Sequence, residues 1–233
     1  MRQFHSIVFI GIINTMNSYE GKLIIFEGGD GGGKGTQIQR LKEDLEKQYG
    51  KNRVVVSHEP GGGIADYRQK LFDFPKLFPN LSQEERNQKE LELFIEDRRI
   101  HVRDFLWPMK RAGRIILEDR FAYSTVAYQG YGRGMDIDKI NSMNEKALNG
   151  LAPGLIVLMD IDPAIGLERK YKNQPEAQNR FEKEEADFHQ RVREGFLAQA
   201  VADTEHWIVI DASRDEETIS REIREIVRSK LGI

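Results

Sequence analysis

Five short stretches, 23–26, 54–56, 115–117, 155–159 and 207–210, are apolar at nearly every position and bounded by turn-forming or polar residues. Runs this short and this uniformly apolar predict strands buried on both faces. Between them, apolar residues recur at helical spacing over about 36–48, 84–106, 137–149, 181–202 and 215–230. In the last segment Ile219, Ile223, Ile226 and Val227 share one face. Every gap between strands is long enough for a crossover helix. The alternation therefore predicts an α/β fold of three layers, a five-stranded parallel sheet with helices on both faces.

Ligands of such sheets bind outside the carboxyl ends of the strands, and there the chain concentrates its special residues. A glycine loop follows the first strand. Ser57-His58-Glu59-Pro60-Gly61-Gly62-Gly63 follows the second, Glu118-Asp119-Arg120-Phe121 the third, Asp160-Ile161-Asp162-Pro163 the fourth and Asp211-Ala212-Ser213-Arg214 the fifth.

The glycine loop carries the plainest chemistry. Gly28, Gly29, Gly31, Gly32, Gly33 and Gly35 are six of the nine residues from 28 to 36, with Asp30, Lys34 and Thr36 between and after them. Glycines let the backbone curl and aim successive N–H groups at one spot, which the positive end of the following helix also faces. Lys34 adds a mobile charge for outer phosphates. Gly28, Gly33 and Lys34 fit the spacing G-x-x-x-x-G-K, but Gly35 takes the place of the usual hydroxyl residue and Thr36 comes one position late. Chance alone would put that spacing in roughly 8% of chains of this length. The preceding strand and the helix-period series Ile38, Leu41 and Leu45 supply the context the motif needs.

Composition narrows the rest. With 35 basic and 38 acidic residues among 233, the formal charge is −3, so no global field holds nucleic acid and a phosphate site must be built locally. The lack of cysteine excludes disulfides, thiolate metal sites and cysteine nucleophiles, and suits a reducing cytoplasm. The apolar stretch 7–13 is too short to span a bilayer and has no clear cleavage site, so no membrane association is expected. Residues 1–21 read as an N-terminal extension in which 1–15 are dispensable, a short extra strand or partner contact being the rival reading. Residues 22–233 read as a single domain.

Asp119 and Arg120 stand together at the mouth of the sheet, beside the phosphate loop if the first and third strands are neighbours. Asp119 suits Mg²⁺, which favours one or two carboxylates plus phosphate oxygens and water. Arg120 can bridge phosphate oxygens as a fork. A structural ion pair at a strand end is the alternative.

The segment Asp119-Arg120-Phe121-Ala122-Tyr123-Ser124-Thr125-Val126-Ala127-Tyr128-Gln129-Gly130-Tyr131-Gly132-Arg133-Gly134 closely resembles thymidylate kinases. So do Phe26-Glu27-Gly28-Gly29-Asp30-Gly31, Glu59-Pro60-Gly61-Gly62, Phe94 with Asp97-Arg98, and Asn179-Arg180-Phe181-Glu182 with Phe188 and Arg191-Val192-Arg193, in order from 22 to about 230. The resemblance implies a P-loop kinase fold with a short lid at about 170–180, and transfer of the γ-phosphoryl of ATP to dTMP with magnesium. It implies catalytic roles for Lys34, Asp119, Arg120 and Asp30. ATP would be held by the loop from Gly28 to Thr36 with Arg169 and Arg180, and the metal by Asp119 and Thr36. Phe94 would stack on thymine, Arg98 and Thr125 would bond its edge, and Pro60 would pack beside the methyl group. Tyr128 would press on the sugar where a 2′-hydroxyl would sit. Glu59, Arg68, Ser124 and Gln129 complete the acceptor side. A homodimer is implied too.

Two departures stand out. The slipped hydroxyl resembles the Gly-Lys-Gly-Thr loop of adenylate kinases, and the lid offers Lys170 and Lys172 where an arginine is usual, with Arg169 and Arg180 at its edges. His58 also stands where many relatives carry arginine. Three rivals remain at this stage: another nucleoside-monophosphate or polyphosphate-driven kinase, an ATP-dependent switch, and a non-catalytic nucleotide-binding protein.

Overall fold

The computed structural model describes residues 21–62, 67–173 and 186–233. The five expected strands are β1 (Lys22–Glu27), β2 (Val54–His58), β3 (Ile115–Asp119), β4 (Leu155–Asp160) and β5 (Trp207–Asp211). All pairings are parallel, in the order β2-β3-β1-β4-β5. Central β1 puts Phe26 in register with Asp119 on one side and Val157 on the other. The glycine loop therefore leaves the sheet between the ends of β3 and β4, where the connections turn to opposite sides and a ligand has room.

Period-two alternation sends β1 side chains to two cores. Ile24 and Phe26 pack with Ile38, Leu41 and Leu45 of α1 (Lys34–Tyr49) and with the last helix, Glu216–Leu231, through Ile219, Ile223 and Val227. Leu23 and Ile25 join Ile116, Ile156, Phe121, Phe196 and Trp207 on the opposite face. The remaining helices are α2 (Tyr67–Leu77), α3 (Gln83–His101), α4 (Trp107–Arg111), α5 (Ala122–Thr125), α6 (Ile137–Leu148), α7 (Pro163–Asn173) and α8 (Ala186–Ala202), so that Glu216–Leu231 is α9. The helix expected over 84–106 becomes α3 followed by a π-helical stretch, Val102–Leu106. That expected over 181–202 is described from Ala186 onward, because 181–185 lie outside the described residues.

A second π-helical stretch, Val126–Gly132, continues α5 through a segment for which the apolar pattern predicts no element. Packing against α8 compels it: a Cβ on Gly132 would come within 2.7 Å of Phe188 and 2.9 Å of Val192. The wide turn sets Tyr128 and Gln129 along one wall of a cavity. Caps fix other helices, with Ser82 and Glu85 closing a capping box on α3 and Asp215 accepting from Thr218 N on α9.

Glu27, the last residue of β1, ties the sheet to α5. Its carboxyl group, fully buried, accepts from Phe121 N at 2.8 Å, Ser124 N at 3.1 Å and Ser124 Oγ at 2.6 Å. Burial pushes its pKa from 4.5 up to about 7, against the pull of Ser124, Arg120 and Lys34. Between those two values the folded chain holds a proton that the unfolded chain has lost, so this group's contribution to stability falls as pH rises. Glutamine at 27 can accept the same two N–H bonds and donate to Ser124, without titrating. Urea melts should find Glu27→Gln gaining on the unsubstituted protein by about 3 kcal/mol between pH 4.5 and 7.5; a difference independent of pH contradicts the assignment.

Candidate active site

The glycine loop lies directly on its neighbours. Gly28 has φ +131°, and a Cβ there would stand 2.5 Å from the Met159 carbonyl of β4. At Gly31, with φ +72°, it would meet the Gly166 carbonyl of α7 at 1.8 Å. Only glycine permits both the conformations and the close approach. No side chain caps the N-terminus of α1 and no acidic residue stands in its first turn, which leaves its amide groups and dipole for an anion. Lys34 folds over the loop, its Nζ donating to the Gly28 and Gly29 carbonyls at 3.0 and 2.9 Å. Burial, aided by Arg120, lowers its pKa from 10.5 to about 8.

β3 delivers Asp119 and Arg120 beside this loop, as the adjacency of the first and third strands requires. Arg120 has φ +66°, a left-handed conformation that costs a non-glycine residue of order 1 kcal/mol. It is held there by its N–H bond to Phe26 O at 2.9 Å. Its guanidinium donates to Gly28 O at 3.1 Å and Ser124 Oγ at 3.3 Å, and lies 5.3 Å from the Tyr128 ring centre. Nη2 pairs with Asp30 at 2.7 Å, and Lys170 of α7 pairs with the other Asp30 oxygen at 2.9 Å. Burial would raise the Asp30 pKa, but Arg120, Lys34 and Lys170 hold it well below the usual carboxylate range. Asp119 Oδ1 is buried and has no hydrogen-bond partner among the described residues.

Two cavities meet at this knot of charge. One, of about 660 Å³, runs over the glycine loop past Thr36, Arg169 and Arg214. The other, of about 580 Å³, is lined by Glu59, Pro60, Arg68, Phe94, Arg98, Ser124, Thr125, Tyr128 and Gln129, with His58 at its edge. Asp30, Gly35, Asp119, Arg120 and Lys170 border both. Arg169 is pinned on the first cavity by bonds to the Ala212 and Ser213 carbonyls at 2.7 and 3.0 Å. Lys172 is exposed and pairs with Glu168. Arg180, and the lid beyond residue 173, lie outside the described residues.

Phe94 and Arg98, one turn apart on α3, both face the second cavity. Arg98 is 1% exposed, and a buried guanidinium needs partners on nearly every N–H. It donates through Nε to Glu59 at 2.9 Å, through Nη2 to Thr125 Oγ1 at 3.0 Å and through Nη1 to Asn144 Oδ1. Behind it, His101 bonds Ser57 Oγ at 2.8 Å and Glu59 at 3.3 Å. Burial and the neighbouring Glu59 and Asp119 push the Glu118 carboxyl pKa well above its ordinary value. Asp97 accepts from Gly61 N at 2.9 Å and so steadies the loop that carries Pro60.

Every site residue expected from the sequence and lying among the described residues borders one of the cavities or the glycine loop. Glu27, Glu90, His101 and Asn144 escaped sequence reasoning, since charged or polar residues, whether at a strand end like Glu27 or on a helix like the other three, ordinarily face solvent. One signal was available: Glu90, Phe94 and Arg98 recur every four residues along α3.

The thymidylate kinase family model matches residues 26–223. The thymidylate kinase of Maridesulfovibrio salexigens is 39% identical over 214 residues, covering 89% of this chain and 95% of the relative. That of Geobacillus sp. is 41% identical over 197 residues, covering 84% and 90%. Among solved structures, thymidylate kinase from Ehrlichia chaffeensis superposes with a TM-score of 0.69 at 28% identity, over 89% of this chain and 99% of that one. With sequence and fold in agreement along nearly the whole length, the chain belongs to the thymidylate kinase family, phosphotransferases that carry the γ-phosphoryl of ATP to dTMP.

Proposed function

We propose that residues 22–233 work as one catalytic unit, with ATP over the glycine loop and dTMP in the arginine-lined cavity. The observation that carries this assignment is the shared border: a donor in one cavity and an acceptor in the other would meet at Arg120, Asp119 and Lys170. The acceptor is a phosphate oxygen already anionic, so no strong general base is required. Catalysis becomes alignment plus neutralisation of crowded negative charge.

In this reading Lys34 and the amide groups from Gly28 to Thr36 hold the outer phosphates of ATP, with Arg169 farther along the same cavity. Arg120 stands between donor and acceptor, where its fork can hold both, and Arg68 reaches the acceptor phosphate from α2. Asp30 keeps Arg120 and Lys170 aimed at the junction. The residues fit magnesium: Asp119 brings a buried, unpartnered oxygen and Thr36 a hydroxyl over the same cavity. Among the described residues no three His, Cys, Asp or Glu side chains cluster as a self-sufficient metal site, so phosphate oxygens and water would complete the shell. When bound, the ion neutralises phosphate charge.

On the acceptor side Phe94 stacks on the base, Pro60 packs beside its methyl group, and Arg98, Thr125 and Gln129 meet its polar edge. Glu59 braces Arg98, Ser124 braces Arg120, and Tyr128 closes off the 2′ position of the sugar. Homodimer formation and a cytoplasmic setting belong to the same proposal. Among the described residues no helix is long and apolar enough to cross a membrane.

Lys170 is the lid cation that borders both cavities, whereas Lys172 borders only the glycine-loop cavity and pairs with Glu168. Initial rates at saturating ATP and dTMP should fall by about 100-fold or more in Lys170→Ala and stay within about two-fold in Lys172→Ala; equal effects of the two would refute the assignment. Tyr128→Ala should narrow the preference for dTMP over ribothymidine monophosphate by at least about ten-fold in kcat/KM. An unchanged preference removes Tyr128 as the sugar gate.

A further inference from the structure

Glu90 is a buried carboxylate behind the wall of the acceptor cavity, in contact with the lining residues Gln129 and Arg133, and the roles above have no use for it. It stands on α3 four residues before Phe94 and eight before Arg98, and only 1% of it is exposed. Its Oε1 accepts from Gln129 Nε2 at 3.3 Å and pairs with Arg133 Nη2 at 3.4 Å. Arg133 is anchored separately, by Asn87 at 3.2 Å and over the Phe188 ring at 5.7 Å.

A carboxylate offers acceptors only, whereas a primary amide has a donor end and an acceptor end. With its NH₂ group turned to Glu90, Gln129 keeps its carbonyl oxygen for the cavity it lines, and that oxygen accepts no hydrogen bond from the described residues. Thr125 Oγ1 already accepts from Arg98 Nη2, so its own proton remains to be given. The wall thus offers donors from Arg98 and Thr125 and an acceptor from Gln129. Thymine presents the complement, with acceptors at O2 and O4 and an N–H between them. Cytosine has a bare lone pair at N3 and an amino group at position 4.

We propose that Glu90 is a specificity-determining positioning residue: it fixes the Gln129 amide with its oxygen toward the base, so that the site demands an N3–H donor and selects thymine or uracil over cytosine. The assignment rests on the base placement proposed above. Without Glu90 the amide can flip, and the flipped form offers its NH₂ to the lone pair of cytosine. Arg98, Glu59 and Arg133 are the charged groups that these contacts bring to this part of the cavity, and among the described residues Asp30, Arg68, Asp119, Arg120 and Lys170 line the rest of it.

The test compares kcat/KM for dTMP and dCMP. Glutamine at 90 can donate or accept, so Glu90→Gln should lower the dTMP:dCMP ratio by about ten-fold or more, through KM, with kcat for dTMP largely kept. An unchanged ratio, together with a raised KM for dTMP in Gln129→Ala, overturns the role of Glu90 while leaving the base site standing. If Phe94→Ala and Gln129→Ala both leave the KM for dTMP unaltered, the base placement fails and this proposal with it. A measurement on the unsubstituted protein guards against a variant that does not fold. 5-Bromo-dUMP keeps the size of the methyl group but has a more acidic N3–H, so above neutral pH its KM should rise as N3 ionises, while that of dTMP holds over the same range. A flat or falling KM for the bromo analogue overturns the proposal.

Discussion

Two polyanions cannot be brought within bonding distance unless the protein offsets their repulsion, and in the proposed reading the unusual features around the glycine loop answer that constraint. The sheet order puts β1 between β3 and β4, so that one glycine loop, one helix N-terminus and the Asp119-Arg120 pair converge on a single spot. Gly28 and Gly31 lie where any side chain would strike β4 or α7, and Arg120 accepts a left-handed backbone to bring its guanidinium over the loop. Asp30, clamped by Arg120 and Lys170, couples the end of β3 to α7 across this junction. Preorganised charge of this kind does not have to be gathered at the moment of reaction.

Behind the cations lies a buried polar layer. Glu27 braces α5, Glu59 and His101 brace Arg98, Asp97 braces the loop at Gly61, and Glu90 braces Gln129 and Arg133. Burying so many ionisable groups costs stability unless each finds partners, and most of the partners found, such as Ser124, Arg98, Gln129 and Arg133, border the acceptor cavity. Each brace removes a degree of freedom from a side chain that a nucleotide would touch. Burial raises both carboxylates, and the cations separate them: Glu27 is pushed up toward neutrality, whereas Asp30, ringed by Arg120, Lys34 and Lys170, is held down.

The sheet was legible because every strand is a short, uniformly apolar run, and α1, α6 and α9 because their apolar residues keep a helical period. α2 and α7 keep a helical spacing only over about two turns (Tyr67, Leu71 and Phe74; Pro163, Leu167 and Tyr171) and were not anticipated, nor was the π-helical stretch from Val126, whose close approach at Gly132 is to α8, far along the chain. In the site, the glycine loop and Asp119-Arg120 announce themselves by local chemistry. Phe94 and Arg98 look like an ordinary core residue and a surface residue, and only family resemblance separated them from that. Glu27, Glu90, His101 and Asn144 were out of reach because their meaning lies in partners far along the chain. Glu27 meets residues more than 90 positions away, and Glu90, His101 and Asn144 meet theirs about 40 positions away. No window on a single sequence contains such pairs.

The central claim is that two nucleotides lie end to end across the border formed by Arg120, Asp119 and Lys170. Isothermal titration with a thymidine–oligophosphate–adenosine conjugate tests it most directly, because joining two bound halves raises affinity through effective concentration. The conjugate should bind one per chain, at least about 100-fold more tightly than ATP or dTMP alone, and should exclude both. Affinity no better than that of one nucleotide, with the other still able to bind, would contradict the account.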